Sequence, residues 1–235
     1  MKYYASSAVN CGNSHIYVNS PCEDVALVKI DKEQAIAVIS DGAGSRKFAK
    51  VTAEVLVQEL EKSFFNDVLE TYITSDKLYD YLNSVLYKMN YPLDELGATL
   101  LFVFVKGKTF YCVHIGDGGV IIKRNQKYEV LSHPENGQFI NETFFLPDSS
   151  KKYFRVSQGE INDDTMFILA SDGVFDLLYD LAENKPTSAC GKLENWNIYD
   201  NQNSSQLIET SLKNTFSQYT NDDQSIAVLN VVFDK

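Results

Sequence analysis

Three aspartates stand directly after apolar runs and directly before glycine. Asp41 follows "AIAVIS", Asp117 follows "FYCVHIG" and Asp172 follows "TMFILAS". Asp-Gly is a common turn signal, because glycine adopts positive φ without steric cost and aspartate bonds to nearby backbone. A hairpin turn requires a strand directly after it, however, and helical patterns follow Asp41 and Asp172. The repeated placement therefore favours a functional role for these carboxylates.

Further carboxylates stand before strands, at Glu23, Asp24, Asp222 and Asp223. Carboxylates held together on rigid strand ends repel one another unless cations lie between them. Mg²⁺ and Mn²⁺ prefer oxygen ligands, and a glycine after the aspartate lets its backbone carbonyl approach an ion. Two ions about 3.5–4 Å apart can share a water, lower its pKa and direct it at phosphorus. The carboxylates alone therefore predict two-metal hydrolysis of a phosphate ester.

The elements that must position these side chains are strands and amphipathic helices. The run at 98–106 is apolar on both faces, which predicts a central strand in a sheet covered on both sides. The order lacks regular β-α-β alternation, which favours an antiparallel α+β architecture with helices outside the sheets. Ser75 is the expected N-cap of the second helix. Apolar periodicity predicts strands at 24–30, 35–40, 98–106, 109–117, 119–124, 165–171 and 225–233, helices at 48–65, 75–90 and 203–220, a helical "VFDLLYDLAE" after 173, and an irregular region at 132–164.

Composition limits the classes of partner. The chain has 235 residues, 44% of them hydrophobic, and no linker, which favours one large domain. A net charge of −11 without a Lys/Arg run argues against nucleic acid. The N-terminus has no apolar segment of a signal peptide, and the run at 98–105 is far shorter than the roughly 20 residues of a membrane span. We therefore expect a cytoplasmic protein that binds neither nucleic acid nor membrane.

The four cysteines are scattered and form no C-x-x-C pair. Reduced thiols in a cytoplasmic protein are the expected state. The three histidines, His15, His114 and His133, have no spacing typical of a zinc site. The spacing thus argues against zinc.

Six short motifs in order resemble the metal-dependent protein phosphatases of type 2C. They are "CED", "SDGAG", "GAT" (97–99), "GDGG", "SDGVFD" and "DDQS", and they run through nearly the whole chain. "GNSH" near the start and "NETFFL" (141–146) resemble a bacterial branch of that family. The resemblance implies two stacked antiparallel sheets flanked by pairs of antiparallel helices, a four-layer α-β-β-α sandwich. It also implies a single domain over 1–235, with a flap-like region at about 132–164.

The resemblance implies a ligand set for two Mn²⁺ or Mg²⁺ ions, with a third in some bacterial members. Asp41 would bridge both ions and Gly42 would offer its carbonyl to one. Asp172 and Asp222 would complete the second, so Asp41, Asp172 and Asp222 are the implied catalytic residues. Asp117 with Asp172 resembles the third-ion site.

Other residues are implied to act around these ligands. Asp24 and Glu23 would hold metal-bound waters, and Thr99 would line the site from the central strand. Asp223 falls where the family has Asn or Asp, and it is expected to support the ligands rather than bind an ion.

The sequence also departs from the family pattern. Ala43 stands where many animal members have a histidine, a candidate general acid. The arginine that grips substrate phosphate in those members would fall near Asn19, and "GDGG" replaces Gly-Asp-Ser-Arg. His15 or Arg46 is a candidate substitute for phosphate binding, although a nearby His or Arg is often only a surface residue.

These observations predict a metal-dependent protein serine/threonine phosphatase. It would hydrolyse phosphoserine and phosphothreonine by attack of a metal-bridging water, and would oppose a kinase or act on that kinase's targets. The alternative is a catalytically inactive member that serves as a phosphoprotein-binding or adaptor module. The missing arginine and "GDGG" favour the alternative, whereas Asp41, Asp172 and Asp222 oppose it. Nucleotide binding through "GAGSRK" is disfavoured because the spacing of a phosphate-binding loop is absent.

Overall fold

The computed structural model describes residues 1–74, 76–137, 143–197 and 201–233. Its strands are Lys2–Asn10 (β1), Val25–Asp31 (β2), Gln34–Ser40 (β3), Leu100–Lys106 (β4), Thr109–Ile115 (β5), Gly119–Arg124 (β6), Lys127–Ser132 (β7), Arg155–Glu160 (β8), Thr165–Ala170 (β9), Tyr179–Asp180 (β10), Lys185–Pro186 (β11) and Gln224–Val232 (β12). Its helices are Asn13–Tyr17 (α1), Ala49–Phe65 (α2), Leu69–Thr74 (α3), Leu78–Tyr87 (α4), Asp172–Leu178 (α5), Ser188–Asn197 (α6) and Asn201–Asn214 (α7).

Two five-stranded sheets form the centre of the molecule. The first has the order β1-β12-β9-β6-β7 and the second the order β2-β3-β4-β5-β8. Every neighbouring pair in both sheets is antiparallel. The short strands β10 and β11 pair only with each other in the part of the chain described.

Alternating side chains sort into three buried layers. On β3, Ala35, Ala37 and Ile39 face the other sheet, while Ile36 and Val38 face helices. The layer between the sheets is completed from the first sheet by apolar residues of β6, β9 and β12. Helices α2 to α4 cover the second sheet, and α5 to α7 cover the first. This order of layers confirms the predicted α+β sandwich, with helices on both outer faces.

The predicted central strands agree with the structure to within two residues, but three edge strands were missed. β1 and β7 border the first sheet, and β8 borders the second. β8 lies inside the region expected to be irregular. It was not predicted because its sequence, "RVSQGE", carries glycine and polar residues, and most of them are exposed. Edge strands bury little of their surface, so their apolar pattern is weak.

The helix expected at 75–90 is observed as α4 over Leu78–Tyr87, and the short helix before it, α3, was not predicted. α3 ends at Thr74, and α4 begins at Leu78 after Lys77, which occupies the N-cap position without a side-chain cap. Ser75, the expected N-cap, lies outside the described residues. The helix expected at 203–220 ends at Asn214, and α6 was not predicted. No helix among the described residues is long and apolar enough to cross a membrane.

Candidate functional site

The carboxylates at the strand ends meet in one cleft at one end of the sandwich. Asp41 follows β3, Asp117 follows β5, and Asp172 follows β9. Antiparallel neighbours bring the start of one strand beside the end of the next, so Asp222, just before β12, joins them. The residues lining the cleft are His15, Glu23, Asp41, Gly42, Ala43, Gly44, Ser45, Thr99, Asp117, Thr143, Phe145, Asp172 and Asp222.

Three of these aspartates form a tight group. One carboxylate oxygen from each of Asp41, Asp117 and Asp172 lies within 4.8 Å of the other two. Asp222 is outside this tightest group but close enough for its charge to raise the pKa of both Asp172 and Asp117. The structure thus brings together the four aspartates that the sequence predicted as ligands.

The backbone on both sides of Asp41 is tied to the central strand β4. The Asp41 amide donates to Thr99 Oγ1 at 3.1 Å, and the Thr99 amide donates to the Asp41 carbonyl at 2.8 Å. Ser40 Oγ donates to the Thr99 carbonyl at 2.6 Å. These hydrogen bonds fix the direction in which the chain leaves β3 at Asp41. Thr99 also lines the cleft.

Gly42 has no room for a side chain. A Cβ placed there would lie 2.9 Å from the Ala49 carbonyl carbon and 2.9 Å from Glu23 Cβ. The Gly42 amide also donates to the Glu23 carbonyl at 3.3 Å. The glycine therefore lets the Asp41 turn pack against the start of α2 while the Gly42 backbone faces the cleft.

Asp172 and Asp222 are joined through the ends of β9 and β12. The Ser171 amide donates to the Ser225 carbonyl at 3.1 Å, and the Ser225 amide donates to Ser171 Oγ at 3.0 Å. The Asp223 amide donates to Asp222 Oδ1 at 2.9 Å. These bonds set the two carboxylates on adjacent strands of one sheet.

Asp117 is held from above by the flap-like region. Thr143 Oγ1 donates a hydrogen bond to Asp117 Oδ2. The preceding Gly116 has φ +127°, and a Cβ there would lie 2.6 Å from Thr99 Cβ, so the turn requires glycine. Residues 138–142 of the flap-like region lie outside the described residues, so only its remaining parts are located.

Desolvation, followed by crowding of negative charge, raises the pKa of the cleft carboxyls. Burial, followed by the charges of Asp24 and Asp172, raises the pKa of Asp41 well above its ordinary value. Burial, followed by the charges of Asp117 and Asp222, raises the pKa of Asp172 to about 7. Asp172 is exposed to solvent in the cleft that it lines. Without a cation, this group holds protons that ordinary carboxyls would lose.

Asp24 and Glu23 carry buried oxygens that lack a hydrogen-bond partner in the described structure. Asp24 is 2% exposed, and neither of its carboxylate oxygens is paired; Glu23 Oε2 is also unpaired. Burial raises the pKa of Asp24 to about 6, and the polar groups of Asp41 and Ser225 lie close enough to offset part of that rise without forming a hydrogen bond to it. Unsatisfied carboxylates beside an aspartate group fit a hydrated divalent cation, whose waters would supply the missing donors.

Asp223 organises the N-terminal loop beside the cleft. It is 3% exposed and accepts bonds from the Gly12 amide (2.7 Å), the Glu23 amide (2.5 Å) and His15 Nδ1 (2.9 Å). Burial alone would raise the pKa of Asp223, but these donors outweigh it and lower the pKa. Asp223 thus holds Gly12, His15 and Glu23 together through hydrogen bonds.

His15 lines the cleft, and Arg46 does not. Burial alone would lower the pKa of His15, but its bond to Asp223 and the charges of Asp223, Glu23 and Asp222 raise it. The Arg46 guanidinium pairs with Asp148, lies over the Phe145 ring and donates to a backbone carbonyl. Arg46 as a phosphate ligand is therefore corrected: its charge is already engaged outside the cleft. The described residues lining the cleft include no Lys or Arg.

Several contacts could not be read from the sequence. The pairing of His15 with Asp223 joins residues 208 positions apart, and the bond from Thr143 to Asp117 crosses from the flap-like region. "GNSH" was the one available signal for His15. The structure also brings Cys11 beside His15 and Asp223, although the spacing of cysteines and histidines gave no sign of it.

A family model described as Protein phosphatase 2C matches residues 11–214. The match covers most of the chain, so the chain belongs to the protein phosphatase 2C family. This confirms the resemblance seen in the six motifs. Members of the family are metal-dependent protein serine/threonine phosphatases.

Similar proteins agree with this assignment. The chain is 25% identical over 201 residues to Serine/threonine-protein phosphatase 3 of Escherichia coli (strain K12), covering 78% of this chain and 77% of that protein. The S. agalactiae serine/threonine phosphatase has a similar structure, with a TM-score of 0.70, 13% identity, and coverage of 99% of this chain and 100% of that one. The catalytic domain of PstP, solved with two manganese ions, gives a TM-score of 0.67, 18% identity, and coverage of 99% and 100%. The structural likenesses show a shared fold.

Proposed function

We propose that this chain hydrolyses phosphoserine and phosphothreonine in proteins, in a cleft built for two Mn²⁺ or Mg²⁺ ions. The observation that carries the proposal is the convergence of Asp41, Asp117 and Asp172 within 4.8 Å of one another, beside the unpaired oxygens of Asp24. Such a group is unfavourable without cations. PstP, which shares the fold, was solved with two manganese ions.

The ligands assigned to the ions are Asp41, Asp172, Asp222 and the Gly42 carbonyl, with Asp117 and Asp172 for a third. Bound in this way, the ions would neutralise phosphate charge and lower the pKa of a water that attacks phosphorus. Asp24, buried beside Asp41, and Glu23, which lines the cleft, are assigned to hold waters of the ions in place. Thr99 keeps Asp41 fixed through two hydrogen bonds.

His15 is assigned to the leaving group. Its Nδ1 bonds to Asp223, and its Nε2, which lies 4.0 Å from Glu23 Oε2, is the nitrogen left to carry a proton toward substrate. The raised pKa keeps the ring protonated to a higher pH than that of a free histidine. His15 thus supplies to the cleft the charge and proton that Ala43 and the missing arginine do not.

Replacing His15 by alanine is expected to slow hydrolysis according to the leaving group. Turnover of a phosphoserine peptide should fall by about 100-fold, because the serine alkoxide needs a proton. Turnover of p-nitrophenyl phosphate should change little, because p-nitrophenolate leaves without one. The measurement is kcat for both substrates on wild type and His15→Ala.

The exposed His133 offers the control, and His133→Ala should leave both rates unchanged. An equal loss on both substrates in His15→Ala would contradict proton donation and would limit His15 to phosphate binding.

Replacing Asp117 by alanine is expected to lower turnover while two ions still bind. Asp117 accepts one bond from Thr143 and shares its assigned ion with Asp172, so that ion has two protein ligands where the ion of Asp41, Asp172 and Asp222 has three. Counting Mn²⁺ by calorimetry in Asp117→Ala tests the assignment. Loss of all Mn²⁺ binding would show that Asp117 belongs to the main pair of sites.

Phosphate release from a phosphoserine peptide tests the function itself. Mn²⁺ or Mg²⁺ should support release, and EDTA should abolish it. An inactive adaptor would bind the phosphopeptide in the presence of Mn²⁺ but release no phosphate at any metal concentration. That result would favour the alternative over the proposal.

The extent of the domain and the partner follow from the same assignment. We propose that the chain acts as one domain over 1–235, because β1 and β12, at opposite ends of the chain, pair over nine residues. The region at 132–164 serves as a flap only up to Phe154, since β8 then joins the second sheet. We propose that the substrate is a phosphorylated protein. The enzyme would act on a cognate serine/threonine kinase or on the targets of that kinase.

A further inference from the structure

A second group of potential metal ligands lies beside the aspartate cleft. One ligand atom from each of Cys11, His15 and Asp223 lies within 4.8 Å of the other two. Cys11 and His15 are partly buried, and Asp223 is buried. This donor set differs in kind from the all-oxygen group of the cleft, because it combines sulfur, nitrogen and oxygen. Thiolate and imidazole donors select thiophilic cations such as Zn²⁺ over Mg²⁺.

The surroundings of this group favour a cation. The Cys22 thiol lies beside this group and donates to the Asp24 carbonyl at 3.8 Å, so a second sulfur borders the same space. The charges of Glu23 and Asp222 act on His15 from the cleft side. The Lys50 ammonium is also near, but its Nζ donates to the Asp24 carbonyl at 3.2 Å and offsets only part of the negative charge.

We propose that Cys11, His15 and Asp223 form a separate site for a thiophilic divalent cation of the zinc class. Ligand atoms around a tetrahedral Zn²⁺ lie roughly 3.3–3.8 Å apart, given Zn–N, Zn–O and Zn–S distances near 2.0–2.3 Å. His15 Nδ1 and Asp223 Oδ2, now 2.9 Å apart, must therefore separate slightly to admit a cation, while the Cys11 ligand atom lies within 4.8 Å of the atoms of both. His15 can follow, because α1 has five residues and buries none of its side chains.

Occupation of this site would act on hydrolysis, a consequence that rests on the proposed function. Coordination of His15 and Asp223 to one cation would replace the hydrogen bond of 2.9 Å that now joins them. The imidazole would then be held by the cation and unable to carry a proton to the leaving group. A thiophilic cation should thus inhibit the enzyme while Mg²⁺ still occupies the cleft.

Cobalt(II) offers a direct probe of the site. The protein is kept reduced with a phosphine, supplied with excess Mg²⁺, and titrated with Co²⁺. Wild type should show a near-ultraviolet thiolate-to-cobalt charge-transfer absorption that saturates at one Co²⁺ per chain. Cys11→Ser should lose this absorption, and Cys112→Ala, which removes a buried thiol between the two sheets, should keep it. An absorption that is absent in wild type, or unchanged in Cys11→Ser, would overturn the proposed site.

Zinc inhibition provides the second arm. With excess Mg²⁺, Zn²⁺ should lower phosphopeptide turnover of wild type by about 100-fold, as expected for His15→Ala, because proton donation is lost. Cys11→Ser should keep the basal turnover and resist Zn²⁺. Equal inhibition of both proteins would overturn the link to hydrolysis. The cobalt absorption does not require an active enzyme, so failure of the proposed function is distinguishable from failure of the site.

Discussion

Replacing Asp41 by alanine is expected to abolish phosphate release while the protein stays folded. Asp41 is the aspartate assigned to both ions, and water cannot replace a carboxylate that bridges two cations. Removing a group that stabilises the charge of the transition state lowers kcat by about 10³-fold. The variant should remain folded, because removing one of several repelling buried carboxyls relieves repulsion in the metal-free protein. The measurements are kcat at saturating Mn²⁺ and the thermal midpoint.

Asp176 offers a matched control one helical turn beyond Asp172. It is exposed on α5 and does not line the cleft, so Asp176→Ala should keep full activity. Retention of more than a tenth of wild-type activity by Asp41→Ala at saturating Mn²⁺ would show that the role assigned to Asp41 is wrong.

The metal-free protein is expected to lose stability as pH rises from 5 to 8, and Mn²⁺ should restore it. The folded-state pKa values of Asp24 (about 6), Asp172 (about 7) and Asp41 lie above the ordinary value for aspartate. A raised folded-state pKa means that the folded protein binds more protons than the unfolded chain over that range. This contribution to stability is complete below about pH 4 and is lost as pH rises through the folded-state values.

Cations bind the ionised carboxylates and reverse this trend. An ion at 100 times its dissociation constant stabilises the folded state by about 2.7 kcal/mol. For a chain of this length, that corresponds to a rise in the thermal midpoint of roughly 5–10 °C. The measurement is the thermal midpoint at pH 5 and pH 8, with EDTA and with Mn²⁺.

Asp41→Asn isolates the contribution of the aspartate group from other titrations. Its metal-free midpoint should fall less between pH 5 and pH 8 than that of wild type, and Mn²⁺ should raise it less. If the thermal midpoint changed equally with pH in wild type and Asp41→Asn, the view that Asp41 and the neighbouring carboxylates repel one another would be contradicted.

The strands of the sheet centres could be predicted because both of their faces are buried. β3, β4, β9 and β12 carry continuous apolar runs that only a covered sheet can hide. β1, β7 and β8 are edge strands with few fully buried residues, so their apolar pattern is weak and their sequence resembles that of a loop. Their pairing depends on partners far away in the chain, such as β12 for β1.

The site was predictable where ligands follow strands directly. Asp41, Asp117 and Asp172 each end an apolar run, so sheet geometry alone brings them to one end of the sandwich. The pair of His15 and Asp223 is different, because it depends on a loop folding back over 208 positions. Arg46 was misjudged for the same reason, since its partner Asp148 lies 102 positions away.

Anomalous diffraction at the manganese absorption edge tests the central claim most directly. Crystals of the wild-type protein equilibrated with Mn²⁺ should show two strong anomalous peaks in the cleft, both next to Asp41, with Asp172 and Asp222 beside one of them. A weaker third peak next to Asp117 is expected at high Mn²⁺. Absence of any anomalous peak in the cleft at saturating Mn²⁺ would contradict the assignment of these aspartates as a metal centre.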